Sequence, residues 1–394
     1  MLQSYADCKK CLRYINFMFK KSTFYLNTHR KVHIPLPFPY VAPNHSFFKY
    51  DQFYWDSYFI IMGLLRLGKV ALAKGMVNNF VYLFKKYGII PARNRYYNLG
   101  MSQPPFLTSM ALEVYEKDGD DEWLKKVLNT AEKELKHYWM NRTHKVYEDL
   151  SRYADHFITH LTAEHESGWD MTSRFQDRCL DILPIDLNTL LYKYEKDLAK
   201  LYKEFGEKEK AKELEKAATS RAKKINKLMW DEHHGMFFDY DYVNQTTIPF
   251  YSVASYYPLW AELATEHQAK ALVENLHHLE EDYGIANTQK TGLIKLQNAY
   301  KQHDYPSGWA HQHWIIVKGL LNYGYEDDAF RIAQKWVNLN KQVFDKTKFF
   351  WERYDVVSGS LPKTERYGLQ KGFGWTNAVF VLMLDTFDGL FDKR

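Results

Sequence analysis

The sequence predicts an all-α protein built from helical hairpins around a common core. Three observations carry this: apolar residues recur at three- and four-residue spacing, strand signals are few and short, and aromatic-rich loops return at intervals. Residues 121–140, 186–206 and 326–344 each show the helical period and open with an acidic residue at or near the N-cap. "GMFFDYDYV", 235–243, is bounded by turn residues and reads as a local hairpin rather than a piece of a central sheet.

The loops are "YWDSY", "MSQPPF", "ESGWDMTSRF", "FFDYDY", "YPSGWAHQHW" and "GFGWTN". Their marker residues Trp55, Pro104, Asp170, Tyr240, Trp309 and Trp375 lie on the order of 50 to 70 residues apart, about one helix-turn-helix hairpin. Six such pairs in a ring would bring six loops to one face. No Pro/Gly/Ser-rich linker divides the chain, so one domain is expected, spanning 35–394, with 1–34 as a helical N-terminal extension.

Composition narrows the function. A formal net charge of +5 over 394 residues, with Lys and Arg interleaved with Glu and Asp as in "EKEKAKELEKAATSRAKKINKL", argues against a nucleic-acid partner. No apolar run approaches the ~20 residues of a spanning helix, and the N-terminus lacks an apolar core and a small-residue cleavage site. A cytoplasmic location without a membrane partner is expected. Three cysteines, Cys8 and Cys11 in a lone C-x-x-C and Cys179 apart, make neither a disulfide framework nor a thiol zinc site. Aromatic content is high at 17%. Tyr and Trp offer an apolar face with a polar handle, which suits a sugar ring as well as helix packing.

Carboxylates embedded among Trp, Gly and Tyr in separate loops, namely Asp56, Asp170, Asp304 and Glu352, are the raw material of glycoside hydrolysis. There one protonated acid serves the leaving oxygen and one ionised carboxylate acts on the opposite face of the ring. Each has a plain structural alternative: Asp56 and Asp170 as helix starts, Glu352 with Asp355 as a solvated cluster. An indole beside an acid disfavours its charged form, which suits a proton donor; this fits Asp170 next to Trp169 and does not single it out from Asp56 beside Trp55. Metal chemistry is the competitor, because His303, His311 and His313 cluster in "KQHDYPSGWAHQHW". Pro and Gly between the first two, and opposed directions of the last two on a helix, weaken it. No nucleotide-binding loop is present in the sequence, and neither metal nor cofactor is expected.

Taken in order, the loops resemble the trehalase family, glycoside hydrolase family 37. "LPFPYVAP" with "FYWDSYFIIMGLL", then "GIIPARNRYYNLGMSQPPF", "ESGWDMTSRF", "QHDYPSGWAHQHW", "WERYDV" and "GFGWTNAV" follow the family's order from about Pro35 onward. The resemblance implies an (α/α)6 barrel and inverting hydrolysis of an α-glucosidic bond. It makes Asp170 the general acid and Glu352 the general base, and puts Trp55 and Asp56 at the bottom of a glucose subsite. Gln103, Gly168, Trp169, Asp304, Trp309, Trp375, Arg95 and Arg366 are the further substrate-binding candidates, and a small sugar, a disaccharide or a glycosyl-glycerate, is the expected partner.

Departures from the family pattern remove the arginines that would grip both glucose units of trehalose. Phe48 stands at an arginine position, Asp51 where glutamate is usual, Ala92 for an asparagine and Met101 for an arginine. An Arg-Pro-Glu contact before "ESGWD" is missing, and Arg366 replaces a glutamate of the family's glycine-rich lid. A site built to bond hydroxyls discriminates strongly once its donors vanish. The expectation is therefore a trehalase-type α-glycosidase whose substrate need not be trehalose. Two alternatives are a mannosylglycerate- or glucosylglycerate-type hydrolase with Arg93, Lys49 or Arg366 meeting an anionic aglycone, and an inactive sugar-binding protein. Retention of both Asp170 and Glu352 argues against the last.

Overall fold

The computed structural model describes residues 8–290, 301–363 and 367–388. Its helices are α1 (Lys9–Lys21), α2 (Tyr54–Arg66), α3 (Val70–Tyr87), α4 (Leu107–Asp118), α5 (Asp121–Glu134), α6 (His160–Glu166) and α7 (Ile185–Glu204). They continue with α8 (Lys208–Met229), α9 (Tyr257–Trp260), α10 (Glu266–Glu274), α11 (Ala310–Asn322), α12 (Glu326–Thr347) and α13 (Gly374–Thr386). Strands are two or three residues long and pair only locally.

Six helices close a ring: α2 touches α4, α4 touches α7, then α9, α11 and α13 follow, and α13 returns to α2. Their composition explains their place. Every residue of α2 from Tyr54 to Leu65 is buried, as is every residue of α13 from Gly374 to Leu384, so these helices are apolar on all sides and take the inside. At Gly63 a Cβ would come within 2.6 Å of the Ala378 Cβ, so the close contact of α2 with α13 depends on that glycine. Outside lie α3, α5, α8, α10 and α12, whose buried residues form one stripe under a charged face, as with Ala211, Leu214, Ala218, Ile225 and Leu228 on α8. The result is an (α/α)6 barrel. Helix α1, inside the segment assigned above to an N-terminal extension, packs on α13, and its Tyr14 ring lies 5.1 Å from Phe344 on α12 and 5.8 Å from Phe350 after it.

Two elements differ from the periodicity. The helix expected over 121–140 stops at Glu134 and continues as the π turn Leu135–Trp139. The wider turn lets Trp139 Nε1 reach the Glu134 carboxylate five residues back, at 3.3 Å, while Tyr54 and Tyr194 hydroxyls donate to the same group at 2.9 and 2.5 Å. Satisfying a buried carboxylate outweighs regular helix here. The fourth inner helix, α9, is only four residues long behind the turn Val253–Tyr256, too short to show a period. Residues 235–243 form two small pairings, Met236–Phe237 with Trp230–Asp231 and Asp239–Asp241 with Ile182–Leu183 and Thr246–Ile248.

The N-termini of α2, α11 and α13 point to one end of the barrel, and none has a side-chain cap at its own N-cap residue. Loops satisfy their orphan N–H groups instead. Tyr54 N donates to Ala92 O at 3.0 Å, Trp55 N to Gln103 Oε1 at 3.4 Å, and Gly374 N to Pro43 O at 2.7 Å. Helix ends and loops thereby fix one another around a single opening.

Candidate active site

That opening leads to a cavity of about 650 Å³, of a size for a disaccharide-like ligand. Trp55, Asp56, Gln103, Gly168, Asp170 and Glu352 line it together with Trp309, Trp375 and Arg95. Of the remaining candidates, Arg366 lies outside the described residues. Trp169 and Asp304 do not line the cavity. The Trp169 indole is buried behind the loop, where its Nε1 donates to Asp186 Oδ2 at 2.9 Å under the Arg174 guanidinium. Asp304 accepts from Thr172 Oγ1, Ser173 N and Ser173 Oγ at 2.9, 2.8 and 2.5 Å, which uses both of its oxygens to hold the chain just after Asp170.

Those contacts explain how the Asp170 loop is built. Arg174, fully buried, bridges Asp186 and Asp239 through bonds of 2.6 to 3.1 Å. Thr172 N donates to Glu164 Oε1 at 2.7 Å, and Gln302 Nε2 donates to the Asp170 carbonyl. The cap of the turn Ser173–Phe175 is Thr172, so the capping role open to Asp170 from sequence is taken by its neighbour. Gly168 has φ +73°, and a Cβ there would lie 2.6 Å from the Trp55 ring; both the turn and the indole require glycine.

The floor is aromatic. The indole of Trp55 stands edge-on to His311 at 4.6 Å and to Trp375 at 5.8 Å, and Trp309 stands edge-on to Trp375 at 5.5 Å. Trp309 is set by a short antiparallel pairing of Ser307–Trp309 with Arg353–Asp355, which also delivers Glu352. The three imidazoles divide among separate rings: His303 stacks on Trp309 at 4.1 Å, His311 on Trp375 at 4.1 Å and His313 on Trp336 at 3.9 Å. His313 accepts from Ile285 N at Nε2 and donates from Nδ1 to Trp309 O, and burial lowers its pKa to about 3. Among the described residues no three His, Cys, Asp or Glu side chains gather as a metal site.

Three carboxylates, Asp56, Asp170 and Glu352, face the same cavity. Burial pushes Asp56 well above the usual carboxylate range, and the charges of Glu352 and Asp170 add to the shift. Burial likewise raises Glu352 to about 7, against the opposing pull of Arg353 and the Tyr367 hydroxyl. Glu352 is thus no solvated charge; Asp355 nearby is a turn-former, its Oδ1 accepting from Val357 N and Ser358 N. Tyr367 is missed by sequence reading. Its hydroxyl, kept protonated by burial and the adjacent carboxylates, donates to Glu352 Oε1 at 2.7 Å, while Oε2 accepts no hydrogen bond among the described residues. One carboxylate oxygen is held by the tyrosine, and Arg353 Nη1 stands 3.8 Å from the other. Tyr367→Phe removes a bond to the ionised form, so the Glu352 carboxyl is expected to titrate on the order of one pH unit higher, followed by difference infrared spectroscopy. An unshifted titration would show that the tyrosine only packs.

At the mouth, Arg95 is clamped on Asp51 by two bonds of 2.6 Å and reaches the Tyr97 hydroxyl at 2.7 Å. Arg93 donates to Asn98 at 3.1 Å and to Tyr97 at 3.0 Å. Lys49 is exposed, lies over the Tyr50 ring at 5.0 Å and is not part of the wall.

The sequence profile described as Trehalase matches residues 9–164 and 145–388. The chain belongs to the trehalase family. It is 35% identical to a probable trehalase of Saccharomyces cerevisiae, covering 88% of this chain and 54% of that one. It is 33% identical to the cytosolic neutral trehalase of Kluyveromyces lactis, covering 88% and 56%, and 33% identical to a putative periplasmic trehalase of Salmonella typhi, covering 89% and 69%. The chain therefore spans little more than half the length of these yeast relatives. Among solved structures, the neutral trehalase Nth1 of Saccharomyces cerevisiae superposes with a TM-score of 0.82 at 31% identity, over 90% of this chain and 75% of that one. A GH63 mannosylglycerate hydrolase of Thermus thermophilus superposes at 0.66 with 17% identity, over 94% and 98%, which is a likeness of fold. Family membership makes this chain a glycoside hydrolase homologue of trehalase type. Among the described residues no helix is long and apolar enough to cross a membrane.

Proposed function

We propose that the protein hydrolyses the α-glucosidic bond of a small glucoside with inversion, Asp170 acting as general acid and Glu352 as general base. The observation that carries this reading is one cavity in which carboxyl groups from two distant loops meet over an aromatic floor. The glycone rests with its C–H face on the indoles while Asp56 and Gln103 take its hydroxyls. Asp170 delivers a proton to the glycosidic oxygen as the C1–O bond breaks. Water attacks C1 from the opposite face and loses its proton to Glu352 Oε2, so the released hemiacetal has the β configuration. Names of the relatives make α,α-trehalose the first substrate to test, and the cytosolic yeast relatives support a cytoplasmic location, which fractionation would check.

Freshly formed products should be followed by proton NMR before mutarotation. From trehalose, inversion yields α- and β-glucose in equal amounts, whereas retention yields α-glucose alone; from any simple α-glucoside, inversion yields β-glucose first. Absence of free sugar from trehalose, simple α-glucosides and glycosyl-glycerates would remove the enzymatic reading in favour of a sugar-binding protein.

A further inference from the structure

Arg93 lines the cavity near its mouth, between Phe48 and Met101, the two positions where the family pattern has arginine. Its backbone is fixed from both sides. Phe53 pairs with it in an antiparallel bridge, and the residue before it, Ala92, donates from N to Met101 O at 2.9 Å. The guanidinium lies over the Phe53 ring, 5.1 Å from its centroid, and the same ring meets Phe48 edge-on at 5.4 Å. A cation is therefore set one aromatic ring away from Phe48 and one backbone pairing away from Met101.

The two arginines of the wall are held differently. Arg95 commits all three of its nitrogens: Nε and Nη2 donate to Asp51 at 2.6 Å each, and Nη1 donates to the Tyr97 hydroxyl at 2.7 Å. Asp51 is fully buried, so Arg95 fastens the loop. Arg93 is held by less. Its Nε donates to Asn98 Oδ1 at 3.1 Å and its Nη2 to the Tyr97 hydroxyl at 3.0 Å, which uses two of its five N–H groups. Nη1 stands 3.5 Å from an Asp51 oxygen that Arg95 already occupies, and the Arg93 side chain is 23% exposed. The Tyr97 hydroxyl accepts from both guanidinium groups, which leaves its own proton to donate. Phe47, Phe48 and Tyr367 line the same cavity, so a ring docked beside Arg93 meets apolar faces together with N–H and O–H donors, as a sugar requires.

We infer that Arg93 determines specificity for a second sugar, donating from its uncommitted N–H groups to hydroxyls of the leaving ring in place of the arginines that Phe48 and Met101 replace. The inference rests on the reading above, in which the floor holds the glycone and the leaving ring lies toward the mouth. Asn98, Tyr97 and the Phe53 ring fix the plane of the guanidinium before a ligand arrives, so little freedom is lost when it donates. Hydroxyls suit this group better than a carboxylate does. Counting Lys, Arg, Asp and Glu, the lining has two cations, Arg93 and Arg95, and three carboxyl groups, Asp56, Asp170 and Glu352, with Asp51 behind the arginines. The mouth thus offers donors without a surplus of positive charge.

The test is equilibrium binding by intrinsic tryptophan fluorescence on an Asp170→Asn background, with turnover removed. The ligands are trehalose, methyl α-D-glucopyranoside and α-glucosylglycerate. Methyl glucoside carries the glycone without a second ring, so the ratio of its Kd to that of trehalose reads the second position alone. Arg93→Met should cut that ratio by about ten-fold or more, the scale of a hydrogen bond from a charged donor. Arg93→Lys, which keeps the charge and loses the planar fork, should cut it by less. A ratio unchanged in Arg93→Met, equal weakening of trehalose and methyl glucoside, or a larger loss for glucosylglycerate than for trehalose would overturn the inference. Failure of the hydrolytic reading shows separately, as wild-type protein that releases no sugar from any of the three ligands whatever the ranking of their affinities.

Discussion

Asp170→Asn should lower kcat on alkyl α-glucosides and trehalose by on the order of a thousand-fold, the scale expected when a positioned general acid is lost. The loop should survive the change. Its anchors are the Trp169 indole on Asp186, Thr172 and Ser173 on Asp304, and Arg174 between Asp186 and Asp239, and Asn differs from Asp by one atom type. An unchanged melting temperature measured alongside kcat separates lost chemistry from lost structure. The leaving group supplies a sharper discrimination. The fluoride of α-glucosyl fluoride leaves as the anion F⁻ and needs no proton, so the variant should keep most of its rate on the fluoride while losing it on an alkyl glucoside. Equal losses on both substrates would mean that Asp170 shapes the site without donating a proton, and full activity on both would take it out of the reaction.

How far the site can be read from residues alone depends on which way each side chain points. Trp55, Asp56, Gly168, Asp170 and Glu352 sit in dense local motifs, and all of them face the cavity. Trp169 and Asp304 sit in the same motifs and do not, because neighbours on a loop point to opposite sides and the motif marks both the wall and its support. Periodicity identified α7 and α12 to within a few residues, since each buries one long stripe. It missed the π turn at Leu135–Trp139 and the four-residue α9, where buried hydrogen bonding in the first and shortness in the second leave no period to see. Tyr367 gave no local signal either. Its importance comes from a bond to Glu352, fifteen positions earlier, and from rings contributed by Phe47 and Phe48 more than three hundred positions away. The replacements at Phe48, Ala92 and Met101 were visible as departures, and their common placement in one wall emerges only once the barrel closes.

Glu352→Gln should be the other near-null variant, with kcat again reduced by on the order of a thousand-fold, since attack by water then has no acceptor for its proton. The wild-type pKa of about 7 sets the pH dependence. A base works when ionised, so kcat/KM should fall as pH drops through about 7, and this limb should vanish from the residual activity of the variant. Stability should move the other way. Because burial raises the carboxyl above its unfolded value of 4.5, the native state holds this proton more tightly than the unfolded chain, and the ionised form is a cost at pH above about 7. Glu352→Gln should therefore melt higher than wild type at pH 8 and match it near pH 4, a trade of stability for function at one side chain. Shortening the residue to Glu352→Ala leaves room on that face for azide, an anion that attacks without surrendering a proton. Azide should restore turnover of an α-glucoside and leave β-glucosyl azide as product. Recovery as the α-azide, or an acidic limb that persists in Glu352→Gln, would assign the base to another of the three carboxylates, and Asp56 is the one already standing on the same floor.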